Sequence, residues 1–198
     1  MKLKLVWTSG KMIKKHYYSW QDIERACLNI ALQMYNDNWR PDYIVGITRG
    51  GNIPATILSN MLSIRGEALK VSLRDSEDGE SSESNCWMAE DAFGYINDEE
   101  RTESYQRSDV YKKKNILIVD DINDTGATFN WIKQDWQSGC LPDDPNWNTI
   151  WHQNVRFATI TDNLSSEFDG TVDYSVHEVN KAEDDVWLVY PWEAVGNV

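Results

Sequence analysis

The chain is organised around residues 115–128, Asn-Ile-Leu-Ile-Val-Asp-Asp-Ile-Asn-Asp-Thr-Gly-Ala-Thr. Four apolar residues at 116–119 predict a buried strand that stops at Asp120 and Asp121. A polar turn follows, and a helix is predicted over residues 128–136. This arrangement forms an anion site, because unpaired backbone N–H groups and the positive end of the helix dipole point to one place. The two carboxylates need another partner, such as hydroxyl groups or a metal ion.

The acidic composition excludes one class of partner and constrains the ligand. The chain has 198 residues and a formal net charge of −13. This length suits a single domain with one core. Nucleic acid is not an expected partner, because binding to phosphates requires basic patches. An anionic ligand must therefore be held by local groups such as backbone amides, an Arg or Lys, or a divalent cation.

A cytoplasmic location is the expectation from the remaining bulk features. No run of 18 apolar residues occurs, so neither a transmembrane helix nor a membrane partner is predicted. The basic N-terminus has too short an apolar run for a signal peptide. Cys27, Cys86 and Cys140 are far apart and odd in number, which fits a reducing compartment rather than a disulfide framework.

Strands and helices alternate along the chain. Strands are predicted at residues 1–7, 43–47, 68–73, 155–160, 172–176 and 186–190, and helices at about 19–36 and 54–62. This order indicates an α/β fold with a parallel twisted sheet flanked by helices, in which ligands bind beyond the carboxyl ends of the strands. A glycine-containing turn, Thr48-Arg49-Gly50-Gly51, follows one of these strands. Its layout of strand, turn and helix repeats that of residues 115–128.

Residues 75–109 differ in composition from the rest of the chain. They are acidic and rich in Ser on both sides of an aromatic section at residues 86–95. Such composition predicts a long mobile loop over about residues 75–110. A loop of this length inside a compact domain indicates a functional role.

Three motifs resemble those of type I phosphoribosyltransferases. Residues 119–128 resemble the motif that binds 5-phosphoribosyl 1-diphosphate (PRPP), and residues 46–51 are similar to the pyrophosphate loop. Residues 187–193, Trp-Leu-Val-Tyr-Pro-Trp-Glu, and Tyr18-Ser19-Trp20 are similar to segments of the 6-oxopurine enzymes, which include the xanthine–guanine phosphoribosyltransferases. The resemblance covers roughly residues 16–75 and 114–193. It implies one phosphoribosyltransferase domain over residues 1–198, with a core at about 17–165 and a small hood at about 1–16 and 166–198.

The resemblance also implies how PRPP and Mg²⁺ bind. Asp120 and Asp121 would accept hydrogen bonds from the ribose hydroxyls, directly or through Mg²⁺. Asp124 would be the general base, and Arg49 would stabilise the leaving diphosphate. The family often has a cis peptide in its pyrophosphate loop. The full set of PRPP-binding residues implied is Thr48, Arg49, Gly50, Gly51, Asp120, Asp121, Asp124, Thr125, Gly126, Ala127 and Thr128.

The base site is implied by the C-terminal motif. Trp187 would stack on the purine, the Leu188 backbone would contact its exocyclic edge, and Glu193 would complete the site. In the 6-oxopurine enzymes a Lys contacts the 6-oxo group, whereas this chain has Asn163 at that position, whose amide could still donate one hydrogen bond to the base. The implied reaction is Mg²⁺-dependent transfer from PRPP to a 6-oxopurine, giving a nucleoside monophosphate and diphosphate for purine salvage, by a homodimer or homotetramer.

Several alternatives stay open at this point. The chain could be a non-catalytic protein that senses PRPP, or a phosphoribosyltransferase for another nucleobase. Asp120 and Asp121 could simply end a strand, and Asp124 could cap the next helix. Residues 48–51 could be an ordinary turn. Trp187 could be a core aromatic residue, since the chain holds 10 Trp.

Overall fold

The computed structural model describes residues 2–8, 11–73, 82–83, 85–94, 113–140 and 144–193. The strands are β1 (Lys2–Thr8), β2 (Lys11–Tyr17), β3 (Tyr43–Thr48), β4 (Arg65–Lys70), β5 (Ile116–Asn123), β6 (Val155–Asn163), β7 (Tyr174–Val179) and β8 (Val186–Val189). The helices are α1 (Trp20–Asn36), α2 (Asn52–Leu62), α3 (Cys86–Phe93) and α4 (Ala127–Cys140), with a 3₁₀ turn at Pro145–Thr149. No helix within these ranges is long and apolar enough to cross a membrane.

The main sheet has five parallel strands in the order β4-β3-β5-β6-β7. Alternate residues of β5 face opposite sides of this sheet, as the period of two in a strand requires. Leu117 and Val119 pack in the cluster formed with α1 and α2. Ile116 and Ile118 pack in the cluster formed with α3 and α4. Helices therefore cover both faces, which explains why β5 begins as a continuous apolar run.

A second, three-stranded sheet forms the hood beside the main sheet. Its order is β1-β2-β8, with β1 antiparallel to β2 and β2 parallel to β8. Strand β8 comes from the C-terminal part of the chain, so the hood joins the two ends as the resemblance implies. The backbone N–H of Tyr18 donates to the carbonyl oxygen of Val189 at 3.0 Å, which ties the hood to the start of α1.

A capping box fixes the start of α1. The Ser19 hydroxyl accepts from the backbone N–H of Asp22, and the Asp22 carboxylate accepts from the backbone N–H of Ser19 at 2.9 Å. The hydrogen bond from the Ser19 backbone N–H, followed by one from the Ser19 hydroxyl to the same carboxylate at 2.8 Å, lowers the pKa of Asp22 to about 2. This box fixes the residue at which α1 begins, and it places Tyr18 directly before the cap.

Four details differ from the sequence prediction. Strand β5 does not stop at Asp120, because Asp120 and Ile122 still pair with β6. Strand β2 was not predicted, since its sequence, Lys-Met-Ile-Lys-Lys-His-Tyr, has no regular alternation of apolar and polar residues. It is specified by its partners β1 and β8. The predicted loop over residues 75–110 contains α3, whose Met88, Ala89 and Ala92 are buried at helical spacing. The rest of that loop lies mostly outside the described residues. Strand β7 belongs to the main sheet, so the core extends beyond residue 165.

Candidate active site

The glycine turn after β3 lies directly against the carboxylates of β5. Strands β3 and β5 are neighbours and parallel, so they end at the same edge of the sheet. A Cβ atom on Gly51 would lie 2.3 Å from the backbone oxygen of Val119, and one on Gly50 would lie 2.0 Å from Oδ2 of Asp121. Position 51 therefore requires glycine because a Cβ atom there would meet backbone, whereas a Cβ atom on Gly50 would displace the Asp121 carboxylate. The Thr48–Arg49 peptide bond is cis, as the resemblance implies, and the Arg49 side chain is exposed.

The two carboxylates are held in different surroundings. An oxygen of Asp120 accepts from the backbone N–H of Asp121 at 2.9 Å. Burial, followed by the nearby Glu193 carboxylate, raises the pKa of Asp121 to about 6. A buried carboxylate that faces another carboxylate is costly to ionise, so a bound cation would stabilise its charged form.

The loop between β5 and α4 has the shape of an anion site. Gly126 has a φ of +85°, and a Cβ there would lie 2.2 Å from the backbone nitrogen of Phe168. The loop is fixed by the segment after β6, because the backbone N–H of Glu167 donates to the carbonyl oxygen of Thr125 at 3.0 Å. The side chains of Thr125 and Ala127 are exposed. The first turn of α4 therefore faces solvent with backbone N–H groups that have no acceptor within the helix.

Asp124 is held by two residues from other parts of the chain. The Asn163 amide donates to the backbone oxygen of Asp124 at 2.8 Å. The ammonium of Lys181 lies 2.8 Å from Oδ1 of Asp124. Sequence reasoning missed Lys181, because it lies between β7 and β8 and only the fold brings it here.

Asn163 is a buried structural residue, and this weakens the role expected for it. Its side-chain oxygen accepts from the backbone N–H of Ser165, the hydroxyl of Ser165 and the backbone N–H of Lys181. Its amide nitrogen already donates to Asp124. The side chain is 5% exposed. We therefore do not retain Asn163 as a contact to the base.

The residues expected at the base site lie on and after β8. The Trp187 side chain is 59% exposed, so it is not a core aromatic residue. The ammonium of Lys15 lies 5.8 Å from the centre of its ring. Leu188 is buried, while the exposed Glu193 accepts from the backbone N–H of Tyr190 at 3.1 Å.

Tyr190 connects this hood segment to the carboxylates. Its hydroxyl donates to the backbone oxygen of Asp121 at 3.0 Å and lies 3.2 Å from the hydroxyl of Thr161. Its ring stacks between Tyr18 and Trp192, with ring centres 5.1 and 5.0 Å apart. Sequence reasoning assigned no role to Tyr190 itself, although it lies within the C-terminal motif. The hood is therefore positioned against the same strand end that carries Asp121.

The carboxylates suit a metal ion that is shared with a substrate. Among the described residues, no cluster of three or more His, Cys, Asp or Glu side chains could hold a metal by itself. Asp120 and Asp121 offer hard oxygen ligands, and Mg²⁺ is usually bound by one or two carboxylates together with substrate phosphates and water. The donor set therefore fits Mg²⁺ bound together with a phosphorylated substrate.

Comparison with known proteins identifies the family. The model of the phosphoribosyl transferase domain matches residues 14–190. The chain belongs to the phosphoribosyl transferase family. It is 24% identical to xanthine phosphoribosyltransferase 1 of Saccharomyces cerevisiae, over 91% of this chain and 90% of that protein. It is 25% identical to the hypoxanthine-guanine phosphoribosyltransferase of Schizosaccharomyces pombe, over 90% and 88%.

A solved structure supports the same fold. The purine phosphoribosyltransferase of Pyrococcus horikoshii superposes with a TM-score of 0.56 at 21% identity, covering 93% of this chain and 97% of that one. The resemblance, the fold class and the enzyme class predicted from the sequence, a phosphoribosyltransferase, are therefore confirmed.

Proposed function

We propose that this phosphoribosyltransferase uses Mg²⁺ and PRPP to convert a 6-oxopurine base into its nucleoside monophosphate, with release of diphosphate, in purine salvage. The observation that carries the proposal is the contact between Gly50 and Asp121. It joins a turn suited to a diphosphate with a carboxylate suited to ribose hydroxyls or a metal. The names of the S. cerevisiae and S. pombe relatives favour a 6-oxopurine as the acceptor.

PRPP would span the carboxyl edge of the main sheet. Its 5-phosphate would bind the loop of Asp124, Thr125, Gly126, Ala127 and Thr128, where backbone N–H groups and the dipole of α4 attract an anion. Its ribose hydroxyls would donate to Asp120 and Asp121. Its diphosphate would lie on Thr48, Arg49, Gly50 and Gly51, where the missing Cβ atoms let the backbone approach the phosphates.

Asp120 and Asp121 would hold the Mg²⁺ ion. When bound, this ion would supply positive charge that stabilises the diphosphate as it leaves. The exposed guanidinium of Arg49 would add charged hydrogen bonds to the same group.

The chemical step replaces diphosphate by a ring nitrogen at C1 of the ribose. The bond between C1 and the diphosphate oxygen breaks and its electron pair leaves with diphosphate, while the nitrogen lone pair forms the new bond to C1. Asp124 would accept the proton that the purine ring loses. A positioned base of this kind is typically worth about 10²–10⁴-fold in rate.

The acceptor base would be held by the hood. The exposed ring of Trp187 provides a flat surface on which a purine can stack. The Leu188 backbone and the Glu193 carboxylate lie on the same segment and would contact the polar edge of the base. Assembly as a homodimer or homotetramer and a cytoplasmic location stay predictions.

A panel of single bases tests this proposal. The protein is incubated with Mg²⁺, PRPP and one of hypoxanthine, guanine, xanthine or adenine, and nucleoside monophosphates are separated by chromatography. We expect product from at least one 6-oxopurine and much less from adenine. The absence of monophosphate from all four bases, in a protein that is shown to be folded, would contradict the proposed function.

A further inference from the structure

We propose that Asn130 is a positioning residue for the 5-phosphate of PRPP, and that it holds a support segment, residues 166–170, against the phosphate loop, residues 124–128. This inference rests on the proposed function, because it concerns the loop to which that function assigns the 5-phosphate. Asn130 lies in the first turn of α4, which begins at Ala127. It is outside the motif at residues 119–128.

The Asn130 side chain makes a two-point contact with the backbone of the support segment. Its amide nitrogen donates to the carbonyl oxygen of Glu167 at 2.9 Å, and its amide oxygen accepts from the backbone N–H of Asp169 at 2.8 Å. A primary amide suits this task because it carries donors and an acceptor on one planar group. Both bonds go to backbone atoms, so the exposed side chains of Glu167 and Asp169 have no part in the contact.

The support segment in turn contacts the phosphate loop. The backbone N–H of Glu167 donates to the carbonyl oxygen of Thr125 at 3.0 Å. A Cβ atom on Gly126 would lie 2.2 Å from the backbone nitrogen of Phe168, so the two backbones pack more closely than any residue other than glycine would allow. The direction of the N–H groups that would bind the phosphate therefore depends on where the support segment lies.

Asn130 holds the phosphate loop from two sides. Its own backbone N–H donates to the carbonyl oxygen of Gly126 at 3.0 Å, while its side chain fixes the segment that packs against Gly126. The loop is therefore held between the first turn of α4 and the support segment. N–H groups that are already fixed bind an anion more tightly than mobile ones, because less conformational entropy is lost on binding.

The support segment is anchored by a side chain but depends on hydrogen bonds for its backbone position. The Phe168 ring lies 5.3 and 5.1 Å from the ring centres of Phe129 and Phe157. Residues 166–168 belong to no helix or strand, so regular backbone pairing does not fix them. Because the Phe168 ring stays anchored, loss of the Asn130 contacts should loosen this backbone without unfolding the protein.

Two ligands separate the phosphate loop from the turn at residues 48–51. Ribose 5-phosphate carries the 5-phosphate alone, and inorganic diphosphate with Mg²⁺ is the ligand expected at the turn. Calorimetry on the full chain compares the wild type, Asn130→Ala and Asn130→Leu, the last of which keeps the side-chain volume. Loss of both hydrogen bonds should weaken ribose 5-phosphate binding about tenfold. Diphosphate binding should change by less than about twofold.

Steady-state kinetics supply a second readout. Asn130 does not contact the reacting atoms, so both variants should raise KM for PRPP about tenfold and change kcat by less than about threefold. Where ribose 5-phosphate binds too weakly for calorimetry, its inhibition constant against PRPP replaces the dissociation constant. A fall in kcat with an unchanged KM for PRPP would overturn the inference.

Gln134→Ala is the matched control. It removes an amide one turn further along α4, where the side chain is exposed, so it should change the affinity for neither ligand. Urea unfolding shows that each variant is folded. Unchanged affinity for ribose 5-phosphate, or an equal loss for both ligands, would overturn the inference. Weaker binding in Asn130→Ala alone would show a packing effect and would overturn it too.

Hydrogen exchange in the wild type keeps the test valid if the variants fail to fold. Exchange is followed by mass spectrometry on peptides that cover residues 164–170, with ribose 5-phosphate at saturation. Binding should slow exchange there about threefold or more, because ordering the phosphate loop also orders the segment packed against it. Diphosphate should have no such effect. Equal exchange with and without ribose 5-phosphate would overturn the inference.

The outcomes distinguish this inference from the proposed function. If the wild type makes nucleoside monophosphate but the Asn130 variants bind ribose 5-phosphate normally, the inference is wrong and the proposed function stands. If only ribose 5-phosphate binding is weakened, in a protein that makes no monophosphate from any base, Asn130 positions a phosphate site and the proposed reaction is wrong. If the wild type neither binds ribose 5-phosphate nor makes monophosphate, both are overturned.

Discussion

A Cβ atom on Gly50 would lie only 2.0 Å from the Oδ2 atom of Asp121. Gly50 follows β3, and Asp121 lies near the carboxyl end of the neighbouring parallel strand β5, so the two residues meet at one edge of the sheet. The contact means that the turn proposed for diphosphate and the carboxylate proposed for ribose and Mg²⁺ cannot be positioned independently.

Gly50→Ala should therefore reduce activity by displacing the Asp121 carboxylate. A displacement of about 1 Å in a positioned group can cost about 10²-fold in rate, so we expect a loss of that order in kcat/KM for PRPP. Gly66→Ala is the matched control, because a Cβ there would meet only the Ser59 side chain, at 3.2 Å. Equal activity of Gly50→Ala and the wild type would show that Asp121 is not held in a functional position.

Asp124→Asn should reduce turnover more than PRPP binding. The asparagine keeps an oxygen that can accept from Lys181, but it cannot take up the proton of the purine. We expect kcat to fall about 10²–10⁴-fold, with the dissociation constant for PRPP changed by only a few-fold. Asp169→Asn is the control, because the Asp169 side chain is 97% exposed. An unchanged kcat would remove the assignment of Asp124 as the general base.

Tyr190→Phe should destabilise the protein and loosen the hood. The change removes the hydroxyl that donates to the Asp121 backbone oxygen and contacts Thr161. Leaving buried polar groups without a partner costs about 1–3 kcal/mol, measurable as a lower free energy of unfolding in urea. Tyr35→Phe makes the same chemical change at a residue that is 80% exposed, and should shift stability by less than about 0.5 kcal/mol. A Tyr190→Phe protein as stable as Tyr35→Phe would contradict the role of this hydroxyl.

The stability of the protein should depend on the ionisation of Asp121. Its pKa is raised from 3.8 to about 6 in the folded state, so the folded protein binds this proton more tightly than the unfolded chain does. The stabilisation that the protonated Asp121 carboxyl contributes is therefore fully present below about pH 4, and it is lost as the pH rises through 6. At pH 7.5 the ionisation of Asp121 lowers the free energy of unfolding by at most about 3 kcal/mol.

Asp121→Asn removes this titration and tests it directly. Urea unfolding without ligand is compared for the wild type and Asp121→Asn at pH 4 and pH 7.5. The stability of the variant relative to the wild type should be higher at pH 7.5 than at pH 4. Asp169→Asn serves as the control, because it makes the same chemical change at a side chain that is 97% exposed. A difference for Asp121→Asn that is independent of pH would contradict the raised pKa.

Local sequence patterns were sufficient to predict the main sheet and its ligand edge. The apolar run at 116–119 and the strand at 43–47 are buried on both faces, so their own composition indicates their position. Strand β5 continues past Asp120 because its backbone still pairs with β6, which no local pattern shows. Strand β2 was missed for a related reason, since its pairing with β8 depends on the distant C-terminal segment.

The candidate site was predicted only where its residues are contiguous. The loop at 124–128 and the turn at 48–51 each contain their glycines and polar groups in one stretch. The contact of Lys181 with Asp124 joins separate connections of the fold, and so does the contact of Tyr190 with the Asp121 backbone. Helix α3 could have been predicted from Met88, Ala89 and Ala92 at helical spacing, but the acidic flanks favoured a loop.

Phosphorus NMR of the full reaction tests the central claim most directly. The protein is mixed with Mg²⁺, PRPP and hypoxanthine, and the phosphorus signals are followed over time. We predict that PRPP is consumed only when the base is present, and that nucleoside monophosphate and diphosphate appear in equal amounts. Unchanged PRPP signals with hypoxanthine, guanine and xanthine in turn would contradict the account.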